Sequence, residues 1–163
     1  MKPVIRPIQQ KDNPKIAAAI REILLEVGAP TEGTAYADKS LDTLFEDYQK
    51  PKSAYFVVEK NDRILGGAGI APLEAENEKI CELQKMYFSP EIRGLGIGTE
   101  MMRICLDFAR ENGFVSCYLE TLPFMEAAQK LYRKSGFRNL DHRMGNTGHY
   151  SCNVWMILDL EKE

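Results

Sequence analysis

The sequence predicts an α/β fold built on a mixed, mostly antiparallel sheet of six to seven strands, flanked by about four helices. Three observations lead there. Residues 54–71 read as a hairpin, two apolar segments around Asn61-Asp62. Two helical patterns, near 98–112 and 124–135, each lie between strand patterns and so supply crossovers. The element order along the chain is β-α-α-β-β-β-α-β-α-β-β, in which hairpins dominate the middle.

Val4 to Ile8 reads as a short first strand. Asp12 or Asn13 can cap a helix with Pro14 at its start, and Ile16, Ala19, Ile20, Ile23, Leu24 and Val27 recur at helical spacing until Gly28. A shorter helix begins at Ser40, with Leu41, Leu44, Phe45 and Tyr48 on one side. Asp38, Asp42, Glu46 and Asp47 make its surroundings acidic, which reads as a solvated face. After the hairpin, whose return strand carries Gly66, Gly67 and Gly69, Ile80 to Phe88 forms a strand ended by Ser89-Pro90. The helix from Gly98 to Asn112 turns Ile97, Met101, Ile104, Cys105 and Phe108 inward. Val115 to Thr121 is a strand, Phe124 to Ser135 a helix closed by Gly136, and a last hairpin ends in Val154 to Leu158.

Composition narrows the classes. A chain of 163 residues with 44% hydrophobic and 28% charged residues is an ordinary globular length and mix, read as a single domain over 1–163. A net charge of −3 argues against binding along a phosphate backbone, so no nucleic-acid partner is expected. No apolar run approaches the roughly 20 residues of a membrane span, and the first residues lack a signal peptide's apolar core. A cytoplasmic protein is expected. Cys81, Cys105, Cys117 and Cys152 include no CxxC pair, and a disulfide framework is not expected.

The stretch that carries chemistry is Arg93-Gly94-Leu95-Gly96-Ile97-Gly98-Thr99, between a strand and a helix. Alternating glycines let backbone N–H groups converge without Cβ obstruction, and the helix start adds unpaired amides and a positive dipole end. Such a loop holds a pyrophosphate. It lacks the Gly-Lys-Ser/Thr of a P-loop, and Thr99 stands where a dinucleotide fingerprint needs its third glycine.

Arg93-x-x-Gly96-x-Gly98 resembles the Q/R-x-x-G-x-G/A signature of the GNAT acetyltransferases, which grips the pyrophosphate of coenzyme A. Leu83 to Pro90 resembles that family's fourth strand and its proline-bearing exit, and Tyr118-Leu119-Glu120-Thr121 its fifth. Ala128-x-x-Leu131-Tyr132-x-x-x-Gly136-Phe137 resembles the helix and turn that come after. Four blocks in order, spanning residues 80 to 137, identify the chain as a single-domain member of bacterial type.

The resemblance implies an acetyl-CoA-dependent N-acetyltransferase with acetyl-CoA as acyl-donor cosubstrate, an amine acceptor and no metal. It implies that the fourth and fifth strands are parallel and splay apart, admitting the pantetheine arm. Backbone amides of Gly94, Leu95, Gly96, Ile97, Gly98 and Thr99, beside Arg93, would hold the pyrophosphate. The main chain of Met86 and Phe88, flanking Tyr87, would bond the pantetheine, and an N–H there can polarise the thioester carbonyl. Tyr132 stands where the family protonates the departing thiolate. Glu82 and Glu120 stand where different members carry the base that deprotonates the acceptor. Residues 82, 84, 86 and 88 share a face unless a bulge shifts the register. Met125 replaces an asparagine that contacts coenzyme A in some members.

Asp141, His142, His149 and Cys152 are spaced without a fixed metal-ligand face. The loop from Gly145 to Tyr150 is expected near the acceptor, in a pocket formed by segments 28–50 and 138–152. Two further readings stay open on the sequence alone: a larger acyl donor, or a coenzyme-A-binding regulatory module without efficient catalysis. Assembly as a homodimer is also left open.

Overall fold

The computed structural model describes residues 2–161. Met1, and positions 162 and 163 of the expected domain, lie outside the described residues.

One seven-stranded sheet organises the chain, in the order β1-β2-β3-β4-β5-β7-β6. Its strands are β1 (Val4–Pro7), β2 (Ala54–Lys60), β3 (Arg63–Pro72), β4 (Ile80–Phe88), β5 (Ser116–Thr121), β6 (Arg138–Leu140) and β7 (Val154–Asp159). Strands β4 and β5 run parallel and every other pairing is antiparallel. The β2–β3 turn holds Asn61 and Asp62 at φ of 52° and 62°, the left-handed pair that a tight hairpin asks for and that these two residue types tolerate.

Helices cover both faces. On one side lie α1 (Asn13–Glu26) and the single turn α2 (Leu44–Asp47), where Ile16, Ile20, Leu24, Leu41 and Leu44 are buried with Tyr55 and Val57 of β2. On the other lie α3 (Ile97–Glu111) and α4 (Glu126–Lys134), where Met101, Cys105, Ala109 and Tyr132 are buried against Cys81, Leu83, Met86 and Leu119. Each fully buried aliphatic side chain contributes on the order of 1.5–3 kcal/mol to this arrangement. All four cysteines are buried and free.

Several elements depart from expectation, each for a local reason. Asp12 precedes α1 without capping it, because its carboxylate is taken by Arg6 and by the backbone N–H of Gln9. Asn13 instead caps α2, accepting from the Phe45 N–H at 2.8 Å. The helix expected from Ser40 is a 3-10 stretch, Lys39–Thr43, followed by one α turn, since Thr43 leaves helical geometry at φ −127°, ψ 44°. The buried face of α3 is rotated toward Met102, Leu106 and Ala109, leaving Ile104 and Phe108 half-buried at its flank. Helix α4 starts at Glu126, later than Phe124, whose ring is exposed.

Within the acidic stretch around α2, Asp42 and Glu46 are exposed yet partnered, and Asp38 is not part of the solvated face. Asp42 pairs with Arg21, and Glu46 accepts from Gln10 and Asn13. Asp38 turns inward to Lys85 and His149.

Two irregularities of β4 shape the centre of the sheet. It pairs with β5 only at Ile80, Cys81 and Glu82, beyond which the two strands part. Opposite β3, Gln84 faces Gly69 and Tyr87 faces Gly67, so Lys85 and Met86 together stand against Ala68. This is a β-bulge, with Lys85 at φ 50°. The bulge reverses the alternation. Leu83 and Met86 join the same core, whereas Gln84 reaches Tyr48 on the opposite face. Residues 82 and 84 therefore do not share a face with 86 and 88.

Candidate active site

The loop between β4 and α3 is built from its glycines. Gly94 and Gly96 sit at φ +78° and +79°, and a Cβ on either would meet nothing within 4 Å. The need for glycine here is conformational, and the space before the loop is open. None of the backbone N–H groups from Gly94 to Thr99 donates to a protein acceptor among the described residues, while Glu100 N–H begins the helical ladder by donating to Gly96 O. These amides form the positive end of a fifteen-residue helix. Arg93 braces the loop rather than reaching into it. Its Nε donates to Phe88 O at 3.0 Å, and its guanidinium pairs with Glu26 of α1 at 2.7 Å.

A cleft of about 440 Å³ opens in front of this loop, a size typical of small-molecule sites. Its walls come from Ile23 of α1 and Val27 just after it, from Met86 to Phe88 of β4, from the loop itself, and from the segment 124–132. Of the expected cofactor-contacting residues, Met86, Tyr87, Phe88, Arg93, Gly94, Gly96, Ile97 and Gly98 line it. Leu95 and Thr99 point to solvent, so either can contribute only through its main chain. Met125 lines the cleft as an apolar wall where an amide side chain would have offered a polar contact.

Where β4 and β5 part, a second cavity of about 30 Å³ continues the cleft, sharing Met86, Tyr87, Met125 and Tyr132 with it and adding Lys85, Glu120 and Cys152. Tyr132, on α4, thus stands at the junction. Burial raises its hydroxyl pKa well above the ordinary phenolic value, so it stays protonated, and the hydroxyl has no hydrogen-bond partner among the described residues. Its ring packs edge-on against Phe137 at 6.0 Å.

The two candidate bases differ sharply in surroundings. Glu82 sits at the last paired position before the strands separate, opposite Tyr118. It is 6% exposed, and one oxygen accepts from Gln84 Nε2 at 2.6 Å. Burial pushes its carboxyl up to about 7, helped by Glu120 and opposed by the Gln84 hydrogen bond and the charges of His149 and Lys85. Glu120, on β5, is engaged on both oxygens. Oε2 accepts from Tyr118 Oη at 2.6 Å and Oε1 from Thr147 Oγ1 at 2.5 Å, with Arg143 4.0 Å away. Tyr118 Oη in turn accepts from the Met144 N–H. Glu120 therefore ties down the β6–β7 connection.

That connection packs against the segment after α1 and against the β3–β4 connection. Ser151 N–H donates to Gly33 O, Ser151 Oγ donates to Glu32 O, and Asn146 N–H donates to Glu74 O. His149 Nε2 meets Asp38 at 2.8 Å, and Lys85 Nζ meets the same carboxylate at 3.1 Å. Burial acts to raise the pKa of Asp38, but His149 and Lys85 outweigh it and hold the group below its usual range. Sequence reasoning missed this cluster because its members are up to 111 residues apart. One signal was available, Lys85 directly after Gln84, a second polar residue where the alternation of β4 asks for an apolar one. His142 is elsewhere, at the surface beside Asp141, and no helix among the described residues is long and apolar enough to cross a membrane.

Known proteins with this architecture share the sequence pattern as well. Residues 18–137 match the model of the acetyltransferase (GNAT) family. The chain is 45% identical to the uncharacterized N-acetyltransferase YjgM of Escherichia coli K12, over 97% of this chain and 95% of that protein. It is 30% identical to human N-acetyltransferase 8B over 77% of this chain, spanning 55% of the human protein's length. Among solved structures, a GNAT-family acetyltransferase from Staphylococcus aureus Mu50 superposes with a TM-score of 0.84 at 19% identity, covering 98% of this chain and 99% of that one. The protein yncA of Salmonella typhimurium, solved with acetyl-CoA, superposes with a TM-score of 0.77 at 19% identity over 99% of this chain and 95% of its own. With the family model covering most of the chain, and the fold and the glycine loop agreeing with it, the chain belongs to the acetyltransferase (GNAT) family.

Proposed function

We propose that the protein, acting as one catalytic domain, transfers the acetyl group of acetyl-CoA to an amine of a small molecule or protein by direct attack, with Glu82 as base and Tyr132 as acid. One observation carries the reading. The cleft in front of the amide-rich loop continues into the gap between β4 and β5, with the protonated Tyr132 hydroxyl at the junction and the buried Glu82 carboxyl where the gap begins.

The residues fit coenzyme A. The free amides of 94–99 suit a pyrophosphate, and the apolar cleft walls with the unpaired edge of β4 beyond Glu82 suit an extended amide-bearing arm. Acetyl-CoA supplies an activated acetyl group as its thioester. An N–H of the bulged stretch Lys85–Phe88 can then polarise the acyl carbonyl.

A primary amine has a pKa near 10 and must lose a proton to attack. Glu82, poised about 7, accepts that proton directly or through a water. The amine nitrogen bonds the acyl carbon as the carbon–sulfur bond breaks, and Tyr132 gives its proton to the departing thiolate. Glu120 holds the acceptor-side loop through Thr147 and Tyr118, and stays the fallback base.

The test is thiol release from acetyl-CoA against a panel of primary amines, amino acids and amine-terminated peptides. Amine-dependent release with a matching acetylated product supports the reading. Slow hydrolysis alone across the panel would favour a coenzyme-A-binding module, and release confined to longer acyl donors would favour a different acyltransferase.

A further inference from the structure

The glycines of β3 lead to a chain of contacts that ends on Glu82. A Cβ at Gly67 would lie 2.5 Å from Tyr55 Cε1, and one at Gly69 would lie 2.6 Å from Tyr55 Cδ2 and 2.9 Å from Tyr48 Cε1. The bare backbone is thus a bed for two tyrosine rings, whose centroids are 5.2 Å apart. Seated there, both rings deliver hydroxyls to β4. Tyr55 Oη donates to the carbonyl of the bulged Lys85 at 2.8 Å, and Tyr48 Oη donates to Gln84 Oε1. With its oxygen so engaged, the Gln84 amide presents Nε2 to Glu82 Oε1. The other Glu82 oxygen has no hydrogen-bond partner among the described residues.

We propose that Tyr48 and Gln84 are positioning residues for Glu82, holding one carboxylate oxygen and leaving the other free for the acceptor amine. The proposal rests on Glu82 being the base. Its logic is chemical. An ionised carboxylate can only accept, so the amide must offer N–H, and a tyrosine hydroxyl can donate to the amide oxygen behind it. When Glu82 is protonated its O–H can donate to an inverted amide, whose NH₂ then donates to Tyr48 Oη. The same pair serves both states of the carboxyl, and the buried Glu82 is never left without a partner.

The titratable groups around Glu82 are Cys117, Tyr118 and Glu120 on β5, Lys85 and Tyr87 on its own strand, Tyr48 after α2, and His149 and Cys152 from the β6–β7 connection. Neither Gln84→Leu nor Tyr48→Phe alters any of these charges. Tyr48→Phe keeps the ring in its bed and removes only the hydroxyl.

The experiment is a carbon-13 titration of protein labelled at the glutamate side-chain carboxyl, with the Glu82 signal identified by its loss in Glu82→Gln. Gln84→Leu should move the Glu82 midpoint up by about one pH unit, the effect of losing a hydrogen bond to a charged group. Tyr48→Phe should move it the same way by less. Unmoved midpoints in both variants, while Glu82→Gln still alters the pH–rate profile with acetyl-CoA and an amine of the panel, would overturn the proposal alone. Moved midpoints beside a profile that Glu82→Gln leaves unaltered would overturn the base reading, and the proposal with it.

Discussion

Holding a carboxyl near neutrality should weaken the fold at the pH where the site works, and the size of this effect can be worked from the structure. Glu82 shifts from an ordinary 4.5 to about 7 because it is buried with little compensation for its charge. Between these values the native state binds the proton and the unfolded chain does not, so stability falls as pH rises. The proton-linked stabilisation is complete below 4.5 and is lost as pH passes through about 7. A shift of this size corresponds to roughly 3 kcal/mol in full, of which roughly 2.5 is lost between pH 5 and pH 8. Glu82→Gln is nearly isosteric with the protonated carboxyl and cannot titrate. In urea unfolding at pH 5, 6, 7 and 8, the variant should gain on the wild type as pH rises, by about 2–3 kcal/mol over the range. Using the difference between the two proteins cancels the titration of groups they share. Two stability curves that stay parallel from pH 5 to pH 8 would refute the argument, because Glu82 would then ionise in the folded protein as easily as in the unfolded one.

Two further substitutions test the donor side. Gly96→Val places a β-branched residue at φ +79°, a conformation that costs about 1–2 kcal/mol or more for such a side chain. A Cβ there meets no neighbour, so the fold should survive while the loop amides turn away, and coenzyme A affinity by calorimetry should drop at least about tenfold; unchanged affinity in the folded variant would remove the loop from the site. Tyr132→Phe keeps the ring against Phe137 and removes the hydroxyl at the cleft junction. Turnover should fall by roughly 10²-fold with cofactor affinity spared. Wild-type turnover, with chemistry shown to be rate-limiting, would reject the acid.

The parts of this protein legible in the sequence are those whose physics is local. The glycine loop announces itself because its backbone geometry, φ +78° at Gly94 and +79° at Gly96, demands glycine within a few residues. The order of elements along the chain was readable from the Asn61-Asp62 hairpin turn and from two late helical patterns that each lie between strand patterns. The bulge at Lys85 left only a partial trace: Cys81 to Gln84 alternates apolar and polar and the adjacent pair Gln84-Lys85 breaks that alternation, but the pairing of Lys85 and Met86 against Ala68 belongs to the finished sheet. The Asp38–His149 contact was equally hidden, since the loop holding His149 and the turn holding Asp38 are brought together only by the finished sheet. The glycines of β3 were visible, but their reason lay in Tyr48 and Tyr55, which no local pattern pairs with them.

The two faces of the sheet give the site its logic. Tyr132 belongs to the core under α3 and α4, whereas Gln84, the hydrogen-bond partner of Glu82, reaches Tyr48 in the core under α1. A closed sheet would separate Tyr132 on one side from Gln84 and its partner Glu82 on the other. Here the parallel pair β4–β5 parts after Glu82, and the cavity in that gap is lined both by Leu83, Met86 and Tyr132 from one core and by Tyr87, Leu122 and Cys152 from the other. The bulge makes this possible. By reversing the alternation at Lys85, it turns Met86 and Phe88 toward the cleft before the glycine loop while Gln84, bonded to Glu82, remains on the opposite face. One strand thus presents side chains to both faces of the sheet, and the gap after Glu82 is the place where residues of the two cores line one cavity.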